Sequence, residues 1–483
     1  MNAAMEVSGD LTSLGLVQAA AAIAAGEVTS VDLTQAVLAA IRTHAKALNA
    51  FLWLDEERAL ETAASLDKAP RSERGKLHGV PLAHKDMFYS KGRISTCGSR
   101  LREDFRPSYT ATVIERLEGE GAFAIGGLNM AEFAMNATGH NEYFGHCRNP
   151  WNRDYCPGGS SSGSGAAVAA RLVYASLGSD TGGSVRLPSS MCGVTGLKPT
   201  QTRVSRHGVM PLAFSADNVG PLARSAQDCA RMLSVVAGAD PRDTTSSSEP
   251  VPDYEEALDG DLRGLKVGVP ENYFLDGVSP DIMRAFEEAL KVLEGRGAVL
   301  RRVTIPEMDA VVAYCNLLSR VEGATIHAQW MRSRPQDYGV PLNSRLYANL
   351  AVPAAAYVEA LSRRGPVLRS VCRAVFTEVD VFVAPTIRIQ VPTLAATDIA
   401  AGTGNAMDVF SPMSLNAVSS NTRPMNYLGL PSLSAPCGFD DNGMPVGLQI
   451  QGRPFSEARL LKIADAFQRD TSHHRKVPPM ITA

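Results

Sequence analysis

The chain has 483 residues, 45% hydrophobic and 20% charged, an ordinary balance for a globular protein with a large core. Its net charge is −3 with a pI near 6.3, and it contains no run of five like charges, so it lacks the concentrated positive charge that a nucleic acid or an anionic membrane attracts. Eight scattered cysteines, none in C-x-x-C spacing, read as reduced thiols of a soluble, cytoplasmic enzyme. Met1 to Asp10 has no basic segment of the kind a signal peptide carries. The apolar run Ala19 to Ala25 is far short of the ~20 residues of a membrane span.

In chain order, Leu11 to Leu38 reads as two helices. Leu14, Leu16, Val17 and Ala20 form one face, Gly26 stops the first helix, and Thr29-Ser30 caps the second. Ile41 to Asp67 is helix-rich, and Lys68 to Gly75 is a charged loop. Beyond it, short apolar runs separated by Gly, Pro and Ser predict buried strands at Val80–Ala83, Phe123–Ile125, Val173–Leu177, Leu265–Val269, Val379–Ala384 and Leu433–Pro436. Helical patterns fall between them at Ala111–Glu120, Ala226–Ala237, Pro280–Glu294 and Ser456–Asp470. Alternation of this kind predicts an α/β fold, a sheet covered by helices on both faces. Asp240 to Asp261, rich in Pro, Ser and Thr, fits either a linker or a long surface loop.

Cys156 to Thr200 carries the chemistry. Two Gly/Ser loops, Pro157 to Gly165 and Gly178 to Pro188, flank one apolar segment, which can bring both to one end of the sheet. Gly182 and Gly183 lack a Cβ, so the backbone there can aim successive N–H groups at one point, as an oxyanion hole requires, and Ser184 follows directly. Neither loop has the phosphate-cradling G-x-x-x-x-G-K-[ST] pattern or the dinucleotide G-x-G-x-x-G pattern.

A serine nucleophile needs a base. Among nine histidines, His44, His78, His473 and His474 lie in surface-like segments, and His140, His146, His207 and His327 lie in unremarkable loops or helices. Gly159 to Gly163 formally matches the G-x-S-x-G elbow around Ser161, but such a match is nearly unavoidable in so Gly/Ser-rich a run. Lys85 ends the apolar run Gly79 to Lys85. A lysine titrating near ~10.4 is useless as a base in water, whereas burial lowers that value toward neutrality. Position alone favours the plainer reading, a lysine paired with Asp86.

Taken together these segments resemble the amidase signature family. Its hallmark is a Gly-Gly-Ser-Ser-rich stretch followed by Gly-Gly-Ser-x-Arg, here Gly158 to Arg186, continuing into Gly193 to Thr200. The likeness extends upstream to the lysine strand and Arg148 to Asn152, and downstream to Asp217 to Arg224, Val383 to Thr386, Gly429 to Pro431 and Gly443 to Gln449. The resemblance implies a single domain over residues 1–483 built on a central mixed sheet, with a core signature region at about 79–225 and a variable pocket region at about 310–425. It implies that Ser184 is the nucleophile, Ser160 a bridging serine on a cis peptide, and Lys85 the general base. It further implies an oxyanion hole from the N–H groups of Thr181, Gly182, Gly183 and Ser184, and a pocket loop at Ala134 and Met135. No metal or organic cofactor enters this scheme. His84 stands before the lysine where many relatives have an apolar residue, and a protonated His84 would depress the lysine pKa by repulsion.

The resulting expectation is a stand-alone amidase cleaving a small or aryl amide, with a carbamate (urethane) or ester hydrolase as a close variant. The glutaminase component of an aminoacyl-tRNA amidotransferase ranks behind these, because Tyr338 to Leu368 does not resemble the matching stretch of that component. A catalytically dead scaffold and a Ser-His-Asp hydrolase using Ser161 rank lower still. The expected partners are small-molecule amide, carbamate or ester substrates, without nucleic acid or membrane. Relatives are commonly homodimers, and no feature of this chain demands one.

Overall fold

The computed structural model describes residues 9–398 and 418–482. Leu16–Ala25 and Ser30–Leu48 are the two expected opening helices. Gly26 ends the first in the left-handed conformation at φ 79°. Thr29 caps the second through a reciprocal pair: its hydroxyl accepts from the Asp32 N–H at 3.0 Å, and Asp32 Oδ2 accepts from the Thr29 N–H at 2.9 Å.

Eleven strands form among the described residues, in two sheets. The small sheet holds β1 (Phe51–Leu54), β2 (Pro81–Lys85) and β3 (Phe123–Leu128), with β3 central, antiparallel to β1 and parallel to β2. The large mixed sheet has the order β4 (Ala175–Asp180), β6 (Asn218–Ala223), β5 (Thr195–Lys198), β10 (Ser432–Phe439), β11 (Pro445–Gly452), β9 (Val381–Pro385), β7 (Lys266–Pro270) and β8 (Val299–Val303). All pairings are antiparallel from β4 to β9, whereas β9, β7 and β8 run parallel. The helices Ser162–Ala169 and Arg186–Cys192 pack together, and the second lies on β5, β10 and β11. A separate group, Ala226–Val236, Pro280–Gly295 and Glu457–Asp470, also packs on the sheet. Every residue of β9 and β11 is consequently buried, the signature of a covered sheet.

Two sequence expectations shift. The runs at Val80 and Phe123 form a sheet of their own rather than joining the main one. Ile41 to Asp67 contains the strand β1, whose Phe51-Leu52-Trp53-Leu54 lies between two good helices and is half-buried throughout. Asp240 to Asp261 holds no helix or strand; it is a loop tied down where buried Asp240 accepts hydrogen bonds from Ser205 and Thr112.

β2 runs beside β4, but no backbone ladder joins them among the described residues. Instead His84 Nδ1 accepts the Leu177 N–H at 3.1 Å. Burial pushes the His84 ring down to about 3, so it is a neutral acceptor at physiological pH. The repulsive role considered for a protonated His84 therefore does not arise: the imidazole splices two sheets.

Three helices, Met308–Ser333, Val340–Leu350 and Ala354–Val375, form an annex beside the sheet. They fall in the expected pocket region, of which residues 399–417 lie outside the described residues. Among the described residues, no helix is long and apolar enough to cross a membrane.

Candidate active site

Lys85 is the last residue of β2 and is 1% exposed. Its Nζ lies 2.7 Å from Ser160 Oγ and 2.8 Å from Ser179 Oγ. Burial drags its pKa down to about 7, against smaller upward pulls from Asp217, Asp180 and Cys97. Asp86 does not pair with it: that carboxylate accepts from Trp53 Nε1 at 3.0 Å and the Thr96 N–H at 2.8 Å.

Ser160 is fully buried just before the helix Ser162–Ala169, and the Gly159–Ser160 peptide is cis. Ser184 precedes the helix Arg186–Cys192 and is 8% exposed. The two loops meet where the Ser161 N–H donates to the Ser184 carbonyl at 3.4 Å. Ser161 Oγ donates to the Ser179 carbonyl at 3.3 Å. Among the described residues no histidine is hydrogen-bonded to Ser160, Ser161 or Ser184, which removes the geometric basis for a Ser-His reading.

The Gly loop is built around Asp180, the last residue of β4. Asp180 accepts from the N–H groups of Gly183 at 2.8 Å and Val185 at 3.1 Å, and from Arg186 Nη2 at 2.9 Å. Burial alone would raise its pKa, but Arg186, Lys198 and Asn426 outweigh that and hold the carboxyl well below the usual carboxylate range. Because the Gly183 N–H is committed to Asp180, the N–H groups left without an acceptor among the described residues are those of Thr181, Gly182 and Ser184. Gly183 has φ +127°, and a Cβ there would lie 2.3 Å from Thr422 Oγ1. That hydroxyl donates to the Gly182 carbonyl at 2.7 Å, and Thr181 Oγ1 donates to Asp217 at 2.6 Å. The loop is thus fixed on both flanks.

Ser184, Thr181 and Gly182 open into a cavity of about 860 Å³. Ala134 and Met135 line it as well, as do Arg320 from the annex and Arg423. Sequence reading missed Ser179, Thr422 and the two arginines. The Asp180 and Arg186 pair had a visible signal, opposite charges six residues apart in an otherwise uncharged, apolar stretch. A separate group, His140, His146 and Asp398, brings potential metal-ligating atoms within 4.8 Å of one another; sequence reading treated both histidines as ordinary loop residues.

Comparison with known proteins places the chain. The family model described as Amidase matches residues 32–461, and the chain belongs to the amidase signature family. It is 40% identical to the glutamyl-tRNA(Gln) amidotransferase A subunit of Chloroflexus aurantiacus, over 98% of this chain and 99% of that protein. The crystal structure of the glutamyl-tRNA(Gln) amidotransferase A subunit from Thermotoga maritima superposes with a TM-score of 0.79 at 29% identity, covering 96% of each chain. The peptide amidase PAM, in complex with the competitive inhibitor chymostatin, superposes with a TM-score of 0.83 at 30% identity, covering 96% of this chain and 98% of that one. The chain is therefore an amidohydrolase-type enzyme of this family.

These relatives overturn two expectations. A stand-alone amidase for small or aryl amides was preferred to an amidotransferase component because of Tyr338 to Leu368, yet the likeness to the Chloroflexus protein runs over nearly the full length. The physical reason is that motifs such as those around Lys85, Ser160 and Ser184 mark the family and say nothing of the acyl group or of where the nitrogen goes. The expectation of small molecules as the only partners falls with it, because these relatives are named as one component of a multi-subunit amidotransferase for a tRNA.

Proposed function

We propose that this chain is the amide-cleaving subunit of a multi-subunit, cytoplasmic tRNA-dependent amidotransferase, releasing ammonia from the side chain of glutamine. The observation that carries this reading is the 40% identity to a named amidotransferase component over 98% of the chain. The cavity supports it. Arg320 and Arg423 line the same space as Ser184, and among the described residues neither is paired with a carboxylate. A guanidinium in such a place suits the carboxylate of an amino acid. The eight free cysteines fit a reducing compartment.

In this reading one domain spans the chain and the relay works as follows. Neutral Lys85 accepts the proton of Ser160, Ser160 takes that of Ser184, and Ser184 Oγ attacks the amide carbonyl. The oxyanion is met by the N–H groups of Thr181, Gly182 and Ser184. The relay then reverses and protonates the departing nitrogen, so that ammonia leaves, and water repeats the cycle on the acyl-enzyme. Ala134 and Met135 flank the acyl chain.

The test is ammonia release from glutamine by the chain alone and co-expressed with the partner subunits encoded by the same organism. Release that is lost in Ser184→Ala and kept in Ser161→Ala supports the reading. No release from glutamine in either preparation, or a chain that assembles with no such subunit, overturns it.

A further inference from the structure

The loop following the Ala134 and Met135 turn carries an arrangement that the relay does not use. Asn136 Oδ1 accepts the Thr138 N–H at 2.7 Å, so it is the carbonyl oxygen of that amide. It lies 2.5 Å from Thr138 Oγ1, which must therefore give its single proton to Asn136. Thr138 Oγ1 then has only lone pairs to offer His140 Nδ1 at 2.8 Å, and the ring must place its proton on Nδ1. In a neutral imidazole this leaves Nε2 bare. Yet Nε2 lies 3.2 Å from the Leu394 carbonyl oxygen, which also can only accept. Two lone pairs face each other in a buried place, and a positive charge between them would resolve the conflict.

The neighbouring groups supply what such a charge needs. His146 Nε2 lies 3.4 Å from Asp398 Oδ2. Its Nδ1 lies 3.1 Å both from the Asn141 N–H, which donates to it, and from the Asn141 carbonyl oxygen, so an incoming ion must displace the Nε2 proton that faces Asp398, the ring then keeping its proton on Nδ1 toward that carbonyl. Both imidazoles thus have Nδ1 held by a protein group, and at His140 that group is an oxygen, the outer-shell pattern that orients histidine ligands on metals. The two rings lie 4.5 Å apart between centroids, and their ligand atoms fall within 4.8 Å of each other and of the carboxylate. Ligands of a tetrahedral ion at bond lengths of ~2.0–2.1 Å need a contraction of roughly 1.5 Å from that spread.

We infer that His140, His146 and Asp398 form a site for a divalent transition-metal ion, with zinc as the natural probe and the Leu394 carbonyl as a ready fourth ligand. Two imidazoles and a carboxylate select such ions over calcium or magnesium. The ion ties the loop through Asn136 and Glu142, both in the cavity wall, to the short helix Leu394–Thr397 that Asp398 caps. It is a structural clip beside the active cavity, separate from Lys85, Ser160 and Ser184.

The experiment is titration of chelator-treated, dialysed full-length protein with zinc chloride by calorimetry, with cobalt(II) as a spectroscopic probe of coordination. Expected are one ion per chain, visible bands of tetrahedral cobalt, and a Tm that rises with zinc concentration. His146→Ala, at a half-buried position, weakens binding by about 100-fold or more. Asp398→Asn weakens it as a second, isosteric change. Absence of zinc uptake by the wild-type chain overturns the inference, and so does uptake that both variants retain, which would place the ion on other histidines such as His473 and His474. A His140 ring found doubly protonated by NMR at pH 7 in zinc-saturated protein would also overturn it, since a proton would then occupy the ion's place.

Discussion

Asp180 and Arg186 face each other with no solvent exposure on either side chain, Oδ1 to Nη2 at 2.9 Å. The carboxylate also gathers the backbone on which Ser184 sits, so one buried pair shapes the Ser184 loop. Arg186 in turn donates to the Thr422 carbonyl at 2.8 Å and to Asn426 Oδ1 at 2.7 Å, locking the far wall. Breaking the pair strands a buried charge. Asp180→Asn is expected to lower stability by about 3–5 kcal/mol and to abolish ammonia release, measured by thermal unfolding and by assay of the surviving folded fraction.

Gly183→Ala probes the same loop by sterics. The substitution needs a left-handed backbone and places a methyl on Thr422. A cost of about 1–3 kcal/mol is expected from the backbone alone. Turnover should fall by at least about 100-fold as the N–H groups of Gly182 and Ser184 lose their aim. A folded Gly183→Ala protein with wild-type kcat would show that the loop geometry is immaterial.

Lys85 dictates a pH profile. In the proposed relay it must shed its proton to serve as base, and burial places that event at about 7 rather than at the ordinary 10.5. Turnover should accordingly climb as pH rises through about 7 and level off above it. The folded chain binds fewer protons than the unfolded chain between about 7 and 10.5, so Lys85 adds a stability term that grows with pH across that window. Lys85→Met should be inactive at every pH and should show a shallower rise of stability over the same range. Lys198, also buried and pushed to about 7 mainly by burial, supplies the residual slope.

His84→Ala removes the acceptor of the Leu177 N–H. The expected loss is about 1–3 kcal/mol, the cost of a buried unsatisfied donor plus the cavity. The midpoint of the pH–rate profile should stay in place, because the ring is neutral throughout the working range. A midpoint displaced by a full unit would reinstate electrostatic tuning of Lys85.

Arg423→Met tests what the cavity recognises. If the guanidinium grips the carboxylate of glutamine, KM for glutamine should rise by about 10–100-fold, a charge-assisted bond of ~1.5–3 kcal/mol, with a smaller effect on kcat. Unchanged KM would move recognition to Arg320.

The sequence was most legible where local chemistry dictates the outcome. Thr29-Ser30 marked a helix cap, Gly26 a helix stop, and the apolar runs Val173–Leu177 and Val379–Ala384 buried strands. β11 escaped notice because Pro445, Gly447 and the alternating Gln449 and Gln451 mask its apolar character until it is paired with β10 and β9. At the site, the family resemblance pointed to Ser160, Ser184 and Lys85, and the structure brings Lys85 Nζ within 2.7 Å of Ser160 Oγ. Ser179 could not, since one serine in a strand of small residues looks like any other until Lys85 is laid across it from another sheet. The substrate was misread for a deeper reason. Arg320 and Arg423 are 103 residues apart in sequence and lie in helices whose local pattern encodes only packing, so their convergence on one cavity is a purely tertiary fact.

The seam spanned by His84 has a consequence for how activity is gained and lost. Lys85 belongs to the three-stranded sheet, whereas Ser179 and Asp180 belong to the eight-stranded one. Strands joined by a side-chain contact separate at lower free energy than strands laced by a ladder. On warming, the proton acceptor should drift from its serines while the larger sheet is still intact, so that inactivation runs ahead of unfolding. On refolding, the last assembly step to be completed should be the one that switches the enzyme on.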